Sequence, residues 1–117
     1  MSIRRADDVP AEPVSAGRNT TRQVLIGPDV GPHFALRRFI MQPGGGIPKH
    51  TNTVEHEKYV LTGRAKLGIG EEVREVQAGD VVFIPAGTPH WYEVLGPERF
   101  EFLCVVPNLP DQMEMMK

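Results

Sequence analysis

The chain reads as an all-β fold, a closed barrel or sandwich of short strands, on three observations. Between Thr21 and Val106 its β-rich segments are four to eight residues long and recur at even spacing, as in small β-barrels. Each is bounded by glycine, proline or charged turn residues, such as Gly27-Pro28, Gly63, Gly79-Asp80 and Gly96-Pro97. The 12 glycines and 11 prolines are too scattered for long helices, and no stretch keeps a helical period.

Met1–Thr20 carries Pro10, Pro13 and mixed charge and reads as an extended arm, with a pairing segment near Ile3. Thr21–Ile26 is the first β-rich run. Phe34–Met41 follows, apolar at both parities, with Phe34, Leu36 and Ile40 on one face and Ala35, Phe39 and Met41 on the other. A strand apolar on both faces is buried on both, so one face is expected to line the interior and the other to meet a second copy. The glycine-rich stretch at Gly44–Gly46 reads as a turn. After it come Glu55–Leu61, Ala65–Ile69, Glu72–Val76, Val81–Ile84, His90–Leu95 and Phe100–Val106. The barrel therefore occupies residues 21–107, followed by a Met-rich tail over 108–117 that reads as helical or frayed.

At 117 residues the chain is one domain, large enough for a core without staples. A net charge of −2 carries no basic footprint for nucleic acid and no polybasic stretch for an anionic membrane. The single cysteine, Cys104, excludes an intrachain disulfide. Met1–Asn19 does not resemble a signal segment, and no apolar run approaches a membrane span. The expected compartment is cytoplasmic.

Three of the four histidines fall in two strand-and-turn units. His50 and His56 lie within Gly44–Gly63, and His90 ends the stretch that begins at Gly79. Three imidazoles suit a divalent transition metal (Fe, Mn, Ni, Cu or Zn) without saying which. His33, after Gly-Pro, reads as a solvent-exposed loop residue.

The spacing of these residues resembles the cupin superfamily. Gly44 stands five residues before His50, Asn52 takes the place of the second motif histidine, His56 that of the glutamate, and Gly63 closes the motif. Gly79, Pro85, Gly87 and His90 match the second motif, with Val94 at its terminal asparagine. The resemblance implies a double-stranded β-helix, or jelly-roll, barrel. It implies a metal site of His50, His56 and His90, with Asn52 either an amide ligand or a turn residue. It leaves activity open, since the superfamily includes dioxygenases, isomerases, epimerases, decarboxylases, storage proteins and sugar-binding domains. A site of neutral donors leaves a divalent ion near +2, which favours anionic ligands, and it leaves the open coordination positions a catalytic metal needs.

Strand parity sets the neighbours of that site. With His90 inward, Tyr92 and Val94 face inward too, while Trp91 and Glu93 face out. Phe100, Phe102 and Cys104 share the expected interior face of the last strand, and Phe39 and Met41 lead into the metal turn. A regular strand also puts Lys58 beside His56, as an acid/base or anion-orienting group. A bulge or a snorkelling stem would take it away. One of Arg37 and Arg38 must share the interior face, and Arg37, on the face of Phe39, is the candidate to hold a substrate carboxylate. The leading functional reading is an oxygenase-type metalloenzyme acting on a small anionic or aromatic molecule. A non-redox isomerase or epimerase with Lys58 as base and a non-catalytic sensor are the alternatives.

Overall fold

Strand β3, Phe34–Asn52, runs through both halves of the molecule. The computed structural model describes residues 1–116. A 3-10 turn at Ala6–Asp8 and the short β1, Glu12–Pro13, come first, then β2, Arg18–Ile26. After β3 follow β4 His56–Thr62, β5 Arg64–Ile69, β6 Glu72–Gln77, β7 Val81–Ile84, β8 His90–Leu95, β9 Phe100–Pro107 and β10 Met113–Met115. The sheet order is β6-β5-β8-β3-β9-β4-β7, with β2 and β10 also on β3 and β1 on β2. The fold is all-β, a curled jelly-roll barrel. No helix among the described residues is long and apolar enough to cross a membrane.

The N-terminal half of β3 pairs with β9 and β2, from Phe34 opposite Pro107 to Met41 opposite Phe100. Its C-terminal half pairs with β8 and β10, from Gly46 opposite Glu93 to His50 opposite His90. The change of partner from β9 to β8 falls around Gly44–Gly46, within one continuous sheet, so the expected turn there is instead continuous strand. The physical reason is crowding: a Cβ on Gly45 would lie 2.7 Å from the Arg18 carbonyl oxygen, and one on Gly46 2.2 Å from that of Tyr92. Glycine here allows two backbones to touch.

The interior is built from alternate residues of each strand, with Met41, Val60, Ala65, Leu67, Ile84, Phe100, Phe102 and Cys104 buried. Phe102 stacks on Phe39 at 5.0 Å and on Tyr92 at 5.4 Å between ring centroids. Two terminal segments differ from the sequence reading. The N-terminal arm is not simply extended: it folds back, pairs at Glu12–Pro13 rather than near Ile3, and is held where the buried Gln23 amide donates to the carbonyls of Ala6 (2.9 Å) and Val9 (2.8 Å). The arm therefore covers part of the outer face of β2 and lies along one side of Leu36. The tail is neither helical nor frayed at Met113–Met115, which adds a strand to the open side of β3; Lys117 lies outside the described residues.

Glu101 faces outward yet is 3 % exposed. Arg38 donates to its carboxylate through Nη2 and through Nε at 2.9 Å, and Arg99 Nε does so at 3.0 Å. Arg38 is thereby spent on structure, whereas Arg37 projects the other way.

Candidate functional site

His50 and His90 are register partners across β3 and β8, and their ring centroids are 4.1 Å apart. His56 opens β4, and its ring lies 5.8 Å from that of His90. The three side chains are 2 %, 5 % and 1 % exposed in residue order, so their polar atoms depend on partners inside the protein.

Two of the rings are fixed by backbone carbonyls. His50 Nδ1–H donates to Pro48 O at 2.8 Å and His90 Nδ1–H to Thr88 O at 2.9 Å. A carbonyl only accepts, so in the neutral rings the free lone pair sits on Nε2. That of His90 is buried without a partner, as are both ring nitrogens of His56. Burial, with the charge of Lys58 next, lowers the His56 pKa to about 2, and the same two causes lower that of His90 to about 3. Burial lowers that of His50 as well. All three rings are neutral at pH 7, the form that binds metal.

Asn52 is 6 % exposed, and its amide nitrogen donates to Asp111 Oδ2 at 3.4 Å. A carboxylate is acceptor-only, so Asp111 takes the NH₂ end and leaves Oδ1 turned away, buried and unpartnered. Asp111 is itself anchored by the Thr53 backbone N–H at 3.0 Å. Sequence reasoning missed it, because nothing in a Pro-Asp tail announces a contact with a residue 59 positions earlier.

Among the described residues, no three His, Cys, Asp or Glu side chains are placed, as they stand, so that they could hold a metal ion. The donor chemistry nonetheless fits a divalent transition metal. Two of the neutral imidazoles are oriented by carbonyls, as metal-bound histidines commonly are, and Asn52, whose Oδ1 is unpartnered, lines the same cavity as His56 and His90 with their unpartnered nitrogens. His56 makes no hydrogen bond and can turn its ring without losing one. The residues that would hold an ion are His50, His56 and His90, with Asn52 Oδ1 as a fourth donor.

Lys58 lies inside. Burial alternates regularly from His56 to Val60, and the register shift in β4 falls later, between Val60 and Thr62. At 7 % exposure its Nζ donates to the Tyr92 hydroxyl and sits 4.5 Å from the Tyr92 ring centroid and 4.6 Å from that of Phe102. Burial lowers its pKa to about 8, with Cys104 opposing and Arg37 assisting. Arg37 stacks over Phe39 at 5.1 Å, and its Nη2 meets Cys104 Sγ at 3.5 Å.

These groups surround one cavity of about 310 Å³. Phe39, Phe102, Tyr92, Lys58, Arg37, Asn52 and the three histidines line it, while Met41, Phe100 and Cys104 do not: they pack in the core instead. Sequence placed those three in the pocket by parity alone, which tells inside from outside but not lining from filling. Ile47 of β3 and Arg22 of β2 line it as well, and the two terminal segments add Asp111, Met113 and residues 13–16. A wider groove of about 530 Å³ lies outside, between β6 and β7, and carries no histidine. His33 is exposed in its loop.

A jelly roll with imidazoles at the mouth of its barrel defines a class, and the sequence signature of the cupin domain matches residues 37–106, so the chain belongs to the cupin family. It is 32 % identical over 104 residues to 1-methylthio-D-xylulose 5-phosphate methylsulfurylase of Rhodospirillum rubrum, a match covering 84 % of this chain and 66 % of that protein. It is 29 % identical over 84 residues to acireductone dioxygenase of a Synechococcus species, over 68 % of this chain and 42 % of the relative. The chain thus spans less than two thirds of the length of these relatives. The 1.2 Å structure of the polyketide cyclase RemF from Streptomyces resistomycificus superposes with a TM-score of 0.88 at 32 % identity, covering all of this chain and 87 % of that one.

Proposed function

We propose that this cupin is a metal-dependent enzyme that moves a proton on a small anionic or aromatic substrate bearing a carbonyl or enol oxygen. One observation carries the reading: a buried lysine, hydrogen-bonded to a buried tyrosine hydroxyl, shares a cavity with three neutral imidazoles, and both ring nitrogens of His56 and the Nε2 of His90 are buried without a partner. His50, His56 and His90, with Asn52, would hold a divalent ion (Fe, Mn, Ni, Cu or Zn). The ion, when bound, supplies a Lewis acid for a substrate oxyanion. Lys58, an ammonium at rest whose pKa of about 8 lets it shed a proton to solvent, as free amine takes the proton from the carbon beside the carbonyl and returns it to the product. Tyr92 holds that amine in place, and Phe39 and Phe102 give an apolar wall to a planar substrate. The similarity to a polyketide cyclase supports this non-redox version. The oxygenase reading stays as the second, supported by the similarity to an acireductone dioxygenase.

The test is solvent deuterium exchange into the α-carbon of acetoacetate, followed by NMR with zinc-loaded protein under anaerobic conditions. Exchange above background is expected, lost in His90→Ala and slowed about 100-fold in Lys58→Met. Anaerobic silence combined with oxygen consumption by iron-loaded protein would replace this reading with the oxygenase one. Absence of bound metal and of turnover would reduce the chain to a binding barrel.

We also infer a homodimer. Tyr59, Val81 and Phe83 are 48 %, 76 % and 55 % exposed on the outer face of β4 and β7. They border an apolar groove of about 490 Å³ that continues over Leu36, Leu103 and Val105. A contiguous apolar face of this kind marks an association site. Sedimentation at micromolar concentration is expected to give twice the 13.0 kDa chain mass, and Val81→Lys is expected to return the monomer. A wild-type chain that sediments as 13.0 kDa excludes the dimer.

A further inference from the structure

We propose that Arg22 and Arg37 form a second, metal-independent subsite at the cavity mouth, which takes a carboxylate or phosphate at the far end of the substrate. The inference rests on the reading of the cavity as an anion site, though not on the metal. Arg22 stands opposite Phe39 and Val24 opposite Arg37 in the β2–β3 ladder. The two arginines are therefore diagonal neighbours on the face that carries Phe39 into the cavity, and both line it.

Neither guanidinium is satisfied. The Nε–H of Arg22 and that of Arg37 are buried without an acceptor. Among the described residues, the one side-chain partner of Arg37 is the Cys104 thiol at 3.5 Å, a weak acceptor, and its guanidinium lies over the Phe39 ring at 5.1 Å. Arg22 reaches Glu12, which is 58 % exposed, at 3.2 Å through Nη2 alone. Asp111, the carboxylate lining the cavity, is already engaged by Thr53 and Asn52. The cavity wall thus presents three side-chain cations, Arg22, Arg37 and Lys58, against one committed anion.

Buried donors without partners are rare in folded proteins unless something else supplies the acceptor. A guanidinium edge offers parallel N–H bonds that match the two oxygens of a carboxylate or phosphate. The volume of about 310 Å³ is at the small end for ligand pockets. A substrate of that size, held at one end by the arginines, places its other end among the imidazoles, next to Lys58. The substrate class is then a small molecule with an oxoanion at one end and an enolisable or phenolic oxygen at the other.

The experiment is calorimetric titration of metal-stripped protein with inorganic phosphate and, separately, with succinate at fixed ionic strength. Saturable binding of at least one is expected, at one site per chain. Arg37→Gln and Arg22→Gln are each expected to weaken it about tenfold or more, and Arg37→Lys to weaken it too, because an ammonium keeps the charge but loses the fork. Phosphate alone binding assigns a phosphoryl end, and succinate alone a carboxylate end. Binding that the three variants leave unchanged, or no binding of either anion to wild type, overturns the subsite. Near-UV circular dichroism checks that the variants fold, and Arg22, partly exposed at the surface, gives a variant with little packing to lose. A parallel zinc titration separates the two readings. Wild type that binds phosphate through the arginines but takes up no zinc leaves the subsite standing without the metal, and the reverse result does the opposite.

Discussion

The metal-free protein is expected to lose about 4 kcal/mol of stability between pH 7 and pH 5. His56 and His90 have folded-state pKa values of about 2 and about 3, against 6.5 when unfolded. Over the window from 6.5 down to about 3, the unfolded chain binds two protons that the folded chain refuses, so stability falls as pH falls. Each histidine contributes about 1.4 kcal/mol per pH unit once pH is well below 6.5. His50, also shifted downward, adds in the same direction. The charged side chains facing His56, Lys58 and Arg37, are cations and oppose its protonation as burial does, whereas at His50 the charge of Asp111 works against burial without reversing the shift. Small domains have total stabilities of about 5–15 kcal/mol, so a barrel at the lower end of that range unfolds near pH 4. Urea midpoints measured from pH 7 to pH 4 check this, and His56→Gln should remove about one proton from the slope. Zinc should raise the midpoint at pH 7 and lose that effect in acid, because protons compete for the same nitrogens. A curve flat between pH 7 and pH 5 would mean that water already solvates these rings.

Much of the barrel was legible because its cause is local. Alternation and turn residues located β5, β7 and β8 to within a residue, and parity alone put Lys58 and Tyr92 on the face of His56 and His90. What was not legible has causes far away in the chain. Gly44–Gly46 looks like a turn in sequence, but two of its glycines are there because Arg18 and Tyr92 pass within contact distance of the backbone. Glu101 sits on the outward parity and is buried all the same, because Arg38 and Arg99 close over it. Met-Glu-Met is too short to announce a strand, yet the open side of β3 recruits it. Asp111 and Arg22 reach the cavity from segments that sequence reasoning set aside as tail and first strand. The histidines were found by spacing, while the residues that orient Asn52 and frame the cavity mouth came only from the tertiary arrangement.

Gly46 links that arrangement to the site, and Gly46→Ala is expected to damage both. A Cβ there would lie 2.2 Å from Tyr92 O and 3.2 Å from Tyr92 C, backbone atoms that no rotamer change can move. Relief requires β3 and β8 to part at the pairs Gly46–Glu93 and Ile47–Tyr92, two steps before His50 meets His90. We expect a loss of at least about 3 kcal/mol, in the upper range for point substitutions, and a Tm lower by about 10–15 °C. Zinc affinity should fall with it, since the two imidazoles separate as the ladder opens. Gly44→Ala, two residues away, is the control. Its φ of +80° makes alanine strained, but nothing lies within 4 Å of the added carbon. The cost there should be about 1–2 kcal/mol, from the left-handed backbone alone, with zinc affinity unchanged. Thermal unfolding and zinc titration of the pair decide the matter. Equal losses in both variants would mean that backbone conformation, rather than contact between β3 and β8, sets the spacing of the histidines.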